Sequence, residues 1–147
     1  MPDPYHLQRF VDAQNTVYGE VTEELRRGQK RSHWMWFIFP QLKGLGRTET
    51  ARYYGIASLE EARAYLNHPI LGPRLLECTH LVLQIEGRNV HQILGSPDDL
   101  KLRSSLTLFA AAATENALFF DALDKFYDGE PDPLTAAEVG PPQRSRA

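Results

Sequence analysis

"HWMWFIFPQ", residues 33–41, holds both tryptophans of the chain and two of its seven phenylalanines. Read as a strand, it turns His33, Met35, Phe37 and Phe39 one way and Trp34, Trp36 and Ile38 the other. Read as a helix, it is apolar on every side from Trp34 to Phe39, which means burial all round. Either way both faces meet protein or ligand. A strand needs partners, and only "HLVLQI" at 80–85 has comparable content. Two short candidates make no convincing sheet. The stretch is therefore expected as a short buried helix capped by Ser32, with the strand reading left open. The fold is expected to be all-α: a compact multihelical domain of about six to eight helices with no substantial sheet.

Outward from this stretch, helical punctuation dominates. From Asp3-Pro4 onward, Leu7, Phe10, Val11, Gln14, Val17, Val21 and Leu25 recur every three or four residues. That is one face of an amphipathic helix, with Asp3 as cap, Pro4 at its first position and Gly28 past its end. Ser58-Leu59-Glu60-Glu61 is a capping box, and the helix it opens stops at His68-Pro69. Leu71, Leu75, Cys78, Val82 and Ile85 mark another, ending at Gly87, and a short turn spans 89–94. Ser96-Pro97-Asp98-Asp99 supplies a cap, a first-turn proline and two acids to a helix reaching about residue 113. One more runs from about 115 to 127. Prolines and glycines follow Gly129, so residues 1–135 are expected as the domain and 136–147 as a loose tail.

Composition narrows function by exclusion. A hydrophobic content of 42% with 24% charged residues is ordinary globular composition. Net charge is −3, without the basic footprint of a nucleic-acid binder. The basic cluster "RRGQKR" at 26–31 falls where cations favourably meet a helix C-terminus. No apolar run approaches the roughly 20 residues that span a bilayer, and residues 1–5 lack a signal-peptide pattern. With a single cysteine, Cys78, a cytoplasmic monomer is expected. The five histidines form no HExxH, and no G-x-S-x-G is present, so neither a metal site nor a serine nucleophile is expected.

Three long segments carry a resemblance: "LRRGQKRSHWMWFIFPQLKGLGRTETARYYGI", "EARAYLNHPILGPRLLEC" and "GSPDDLKLRSSLTLF". Over roughly residues 5–135 the chain resembles a bacterial domain-of-unknown-function family, numbered eighteen-ten, with mycobacterial members. The resemblance implies a multihelical single domain and supplies no catalytic residue, cofactor or substrate. Some members are labelled calpastatin, but a disordered protease inhibitor lacks such an apolar, periodic pattern.

Two motifs contain polar groups that a purely apolar core does not need. His33 begins the aromatic run, and the indoles of Trp34 and Trp36 require partners for their N–H groups. On the wheel of the 97–109 helix, Leu102, Leu106 and Phe109 form a core side, and Asp99 and Arg103 form a surface pair. Asp98, Lys101 and Ser105 sit at the margin of the core face, where they need internal partners or a ligand. In the local reading Asp98 caps its helix and pairs with Lys101, while Ser105 bonds backbone. In the ligand reading His33, Trp34, Trp36, Asp98, Lys101 and Ser105 converge on one cavity. Rings there would stack a planar group, and the helix start with Lys101 would hold negative charge. The expected ligand is then an anionic or nucleotide-like small molecule. The alternative is a non-catalytic module that binds protein.

Overall fold

The long N-terminal pattern resolves into two helices. In a computed structural model, which describes residues 2–145, α1 (Gln8–Asn15) and α2 (Tyr18–Arg27) are separated at Thr16 and Val17. Asn15, Thr16 and Val17 all rank low in helix propensity. The Thr16 hydroxyl also donates back to the Ala13 carbonyl at 3.4 Å, the local competition that weakens a helix interior. The break lets α1 pack on the aromatic stretch while α2 packs on a later helix. Asp3 caps as expected, its carboxylate accepting from the Leu7 and Gln8 amides at 2.8 and 2.9 Å. The helix nevertheless starts at Gln8 and not at Pro4. Gly28 closes α2 in the left-handed region, at φ 75°, a conformation open to glycine at low cost.

The chain continues through α3 (Met35–Ile38), α4 (Glu49–Tyr53), α5 (Leu59–Asn67), α6 (Leu71–Leu83), α7 (Val90–Leu94), α8 (Asp98–Ala112), α9 (Ala117–Tyr127) and α10 (Pro133–Val139). The described residues thus hold ten helices, more than the six to eight expected, and no strand. Splitting the first helix accounts for part of the difference, and α4 and α10 for the rest. Each of these two has its own cap: Thr48 accepts from the Ala51 amide at 3.1 Å, and Asp132 from the Thr135 amide at 3.0 Å. α10 crosses the boundary expected at 135. Beyond it, Asn116 donates to the Gln143 carbonyl and accepts from the Ser145 amide, both at 2.8 Å. Arg146 and Ala147, the end of the expected tail, lie outside the described residues.

The opening stretch is helical, but Ser32 does not cap it; its hydroxyl donates to Glu24 instead. Ser96 and Asp98 likewise leave the α8 start without a side-chain cap. Ser58 does cap α5, accepting from Glu61 at 3.1 Å. The reciprocal half of that box is diverted. Glu61 reaches the Ala57 amide at 3.2 Å and the Arg9 guanidinium at 2.9 Å.

α8 is the central element, touching α3, α5, α7, α9 and α10. Residues from Leu102 to Ala112 are buried almost throughout, so the helix has no true solvent face beyond its first turn. Two of its buried hydroxyls turn to its own backbone: Ser104 donates to Leu100 and Thr107 to Arg103. Between α3 and α5 the chain makes an arch. The Lys43 amide donates to Ile56 and the Ile56 amide to Gln41, both at 2.8 Å. That single parallel bridge closes the loop carrying α4. Gly55 sits at the crossing, where a Cβ would lie 2.7 Å from the Lys43 Cα, so only glycine lets the two sides of the arch approach. No helix among the described residues is long and apolar enough to cross a membrane.

Candidate functional site

The two motifs meet through Trp34, Trp36, Asp98 and Lys101, joined by an unexpected residue, Lys30. Lys30 folds inward from the basic cluster, its backbone amide held by the Ile93 carbonyl at 2.7 Å. Its ammonium lies 2.8 Å from Asp98 and over the Trp34 ring, 5.2 Å from the centroid. Lys101 approaches the same carboxylate from its own helix, at 3.5 Å, and sits 4.7 Å above the Trp36 ring. One carboxylate therefore serves two ammonium groups, and a positive charge is left over. Asp98 is a bridging anion in this arrangement and takes no capping role. Removing its charge strands the Lys30 ammonium, whose side chain is only 7% exposed. Asp98→Asn should cost about 1.5–2 kcal/mol in denaturant unfolding, the lower part of the range of about 1.5–3 kcal/mol for a hydrogen bond to a charged group. A loss within error would mean that Lys30 reaches water.

Trp34 is buried and does not border the cleft that Trp36 faces. Its indole nitrogen donates to Glu24 at 3.0 Å. The same carboxylate accepts from the Arg31 and Ser32 amides and the Ser32 hydroxyl. Partial burial pushes the Glu24 carboxyl up, but those hydrogen bonds outweigh it and hold it at about 2.

Trp36, half-buried, faces a cleft of about 470 Å³ between α3, the arch, α8 and the start of α10. Leu45, Leu100 and Leu134 supply apolar wall, and Arg47 and Lys101 face it with positive charge. Asp132 also borders it, but one of its oxygens is engaged by the Thr135 amide and hydroxyl. The amides at the α8 start are already satisfied: Asp99 donates to Gly95, and Leu100 and Lys101 to Pro97. Negative charge in the cleft would meet side chains and not the helix end.

His33 lies outside this cleft. It borders a neighbouring shallow depression with Phe37, Glu49, Tyr53 and Tyr54, and Trp36 belongs to both hollows. Ser105 lines neither; its hydroxyl is buried without a hydrogen-bond partner among the described residues. Asp99 and Arg103 do not pair. Asp99 turns to His91 at 3.3 Å, and Arg103 donates to the carbonyls of Glu130 and Pro131. Cys78 is core, and burial pushes its thiol up to about 12, so no thiolate nucleophile forms near neutrality.

Sequence reasoning missed Lys30, Arg47 and Leu134. Arg47 was within reach, because glycines in "KGLGRT" free the backbone to swing a cation onto the cleft. Lys30 carried no such signal, since nothing local separates it from its exposed basic neighbours.

Residues 4–139 match the model of a family described as "Protein of unknown function (DUF1810)". The chain is similar to the conserved hypothetical protein Rv1873 from Mycobacterium tuberculosis, known from a crystal structure. The two share 59% identity and a TM-score of 0.91, covering 92% of this chain and 96% of that one. Comparison with curated proteins gives no match.

Proposed function

The chain belongs to the DUF1810 family, a family of unknown function, and from that premise we propose that its cleft binds a small molecule with a planar body and an anionic group. One observation carries the reading: Lys101 lies over the Trp36 ring while sharing Asp98 with Lys30. The ring offers a flat apolar surface, and the two-to-one charge balance leaves Lys101 available to an anion, with Arg47 on the cleft wall. The cleft volume falls in the range of small-molecule sites. Phosphorylated metabolites and nucleotides have the required chemistry.

The test is a thermal-shift screen against nucleotides, nucleosides and phosphorylated metabolites. A ligand present at a hundred times its Kd adds about 2.7 kcal/mol, or roughly 5–10 °C in a domain of this size. Anionic members should shift the midpoint and their uncharged counterparts should not. Lys101→Met should abolish the shift. A shift that survives this substitution, or none across the panel, removes the proposal. Leu100 and Leu134, 60% and 66% exposed beside the cleft, favour a second reading in which an apolar segment of a protein partner docks there.

A further inference from the structure

The second hollow has the opposite chemistry. Trp36, Phe37, Tyr53 and Tyr54 line it with aromatic surface beside His33 and Glu49. Tyr53 and Tyr54 meet edge to face at 4.8 Å, and Phe37 tilts against Tyr54 at 5.4 Å. Neighbouring rings thus present differently oriented faces to one space. Tyr53 is 52% exposed although it is large and aromatic.

Elsewhere the chain covers its rings with its own cations. Arg9 lies over Phe10, Lys30 over Trp34, Arg74 over Tyr18, Lys125 over Phe126 and Arg144 over Phe120, and of the rings lining the hollow Trp36 carries a cation, Lys101. Among the described residues no lysine or arginine covers Phe37, Tyr53 or Tyr54, and none lines the hollow. Glu49 has no ion-pair partner among the described residues either. Burial and then Tyr53 raise the Tyr54 phenol, and Arg9 opposes this. The Arg9 charge is itself matched by Glu61 at 2.9 Å.

We propose that this aromatic depression between α3 and α4 is a binding site for an organic cation, an alkylated ammonium group held against the rings with Glu49 as its counter-charge. Aromatic faces attract cations through the ring quadrupole, and alkylated ammonium ions, weakly hydrated, are the ligands that aromatic enclosures select. An anion would meet Glu49 with like charge. The site shares the Trp36 ring with the Lys101 cleft but takes the opposite charge.

Choline and its uncharged carbon isostere 3,3-dimethyl-1-butanol test the proposal, because the two differ in charge and hardly in shape. Each is titrated into the full-length protein labelled on its aromatic rings, with ring NMR shifts as readout. Choline should produce saturable shifts at Trp36, Phe37, Tyr53 and Tyr54, and the alcohol should not at the same concentrations. Tyr53→Ala, at a half-exposed position that should not disturb folding, should weaken choline binding roughly fivefold, as loss of one solvent-exposed cation–ring contact implies. Lys101→Met should leave choline binding intact, which keeps this site distinct from the anion cleft. Equal response to choline and the alcohol, shifts confined to other rings, or unchanged affinity in Tyr53→Ala would each overturn the proposal.

Discussion

Arg9→Met should destabilise the protein by about 3–5 kcal/mol in urea unfolding, the cost of stranding one member of a buried ion pair. Arg9 and Glu61 are 7% and 5% exposed in their side chains and 2.9 Å apart. The guanidinium also donates to the carbonyls of Tyr5, His6, Tyr53 and Gly55. It therefore ties the N-terminal turn to both ends of the segment between α4 and α5. Methionine fills much of the volume but satisfies none of those acceptors, and it leaves the Glu61 charge in a site built for a cation. The double change Arg9→Met with Glu61→Leu should recover a substantial part of the loss, because it removes both charges together. A single-variant loss below about 1 kcal/mol would show that the pair is solvated like an ordinary surface bridge.

Glu24→Ala should be the second large effect, at about 2–3 kcal/mol. It removes one acceptor shared by the Arg31 and Ser32 amides, the Ser32 hydroxyl and the Trp34 indole. The indole is buried, and a buried donor left alone bears its full desolvation cost. The same carboxylate predicts a pH dependence. Its folded-state value of about 2 lies below the ordinary 4.5, so its stabilisation is complete above pH 4.5 and is lost as pH falls towards 2. The wild type should lose stability over that window, and Glu24→Ala should lose less. Parallel profiles for the two proteins would assign the acid sensitivity to other carboxylates.

What the sequence disclosed was whatever is decided within a few residues. Ser58, Gly28 and the Asn89 turn perform their expected jobs because a cap needs only its own helix. The all-helical class was legible because the aromatic stretch lacked strand partners. α10 was missed although Asp132-Pro133 repeats the cap-and-proline signature of Asp3-Pro4; the surrounding prolines and glycines masked it. Asp98 and Ser96 went the other way. Both fit a capping pattern, but a lysine 68 positions earlier in the chain claims the Asp98 carboxylate. No wheel or spacing contains such a contact. His33 and Trp36, three residues apart, were expected in one pocket with Lys101. The Trp36 ring divides that space, so Lys101 faces one hollow and His33 the other. Ser105 was expected to find a backbone partner or a ligand, and its hydroxyl has no partner among the described residues; we have no physical account of it.

The unequal surroundings of the two indoles give the protein a pair of distinguishable light emitters. Trp34 is enclosed, hydrogen-bonded to a carboxylate and 1% exposed; Trp36 lies half open beneath an ammonium group. Iodide, drawn towards Lys101, can collide with the second and not with the first. The emission should therefore split into a quenchable red-shifted part and a protected blue-shifted part. Because Trp36 walls both hollows, the quenchable part alone should darken or brighten when either is filled, and the protected part serves as an internal standard in the same cuvette.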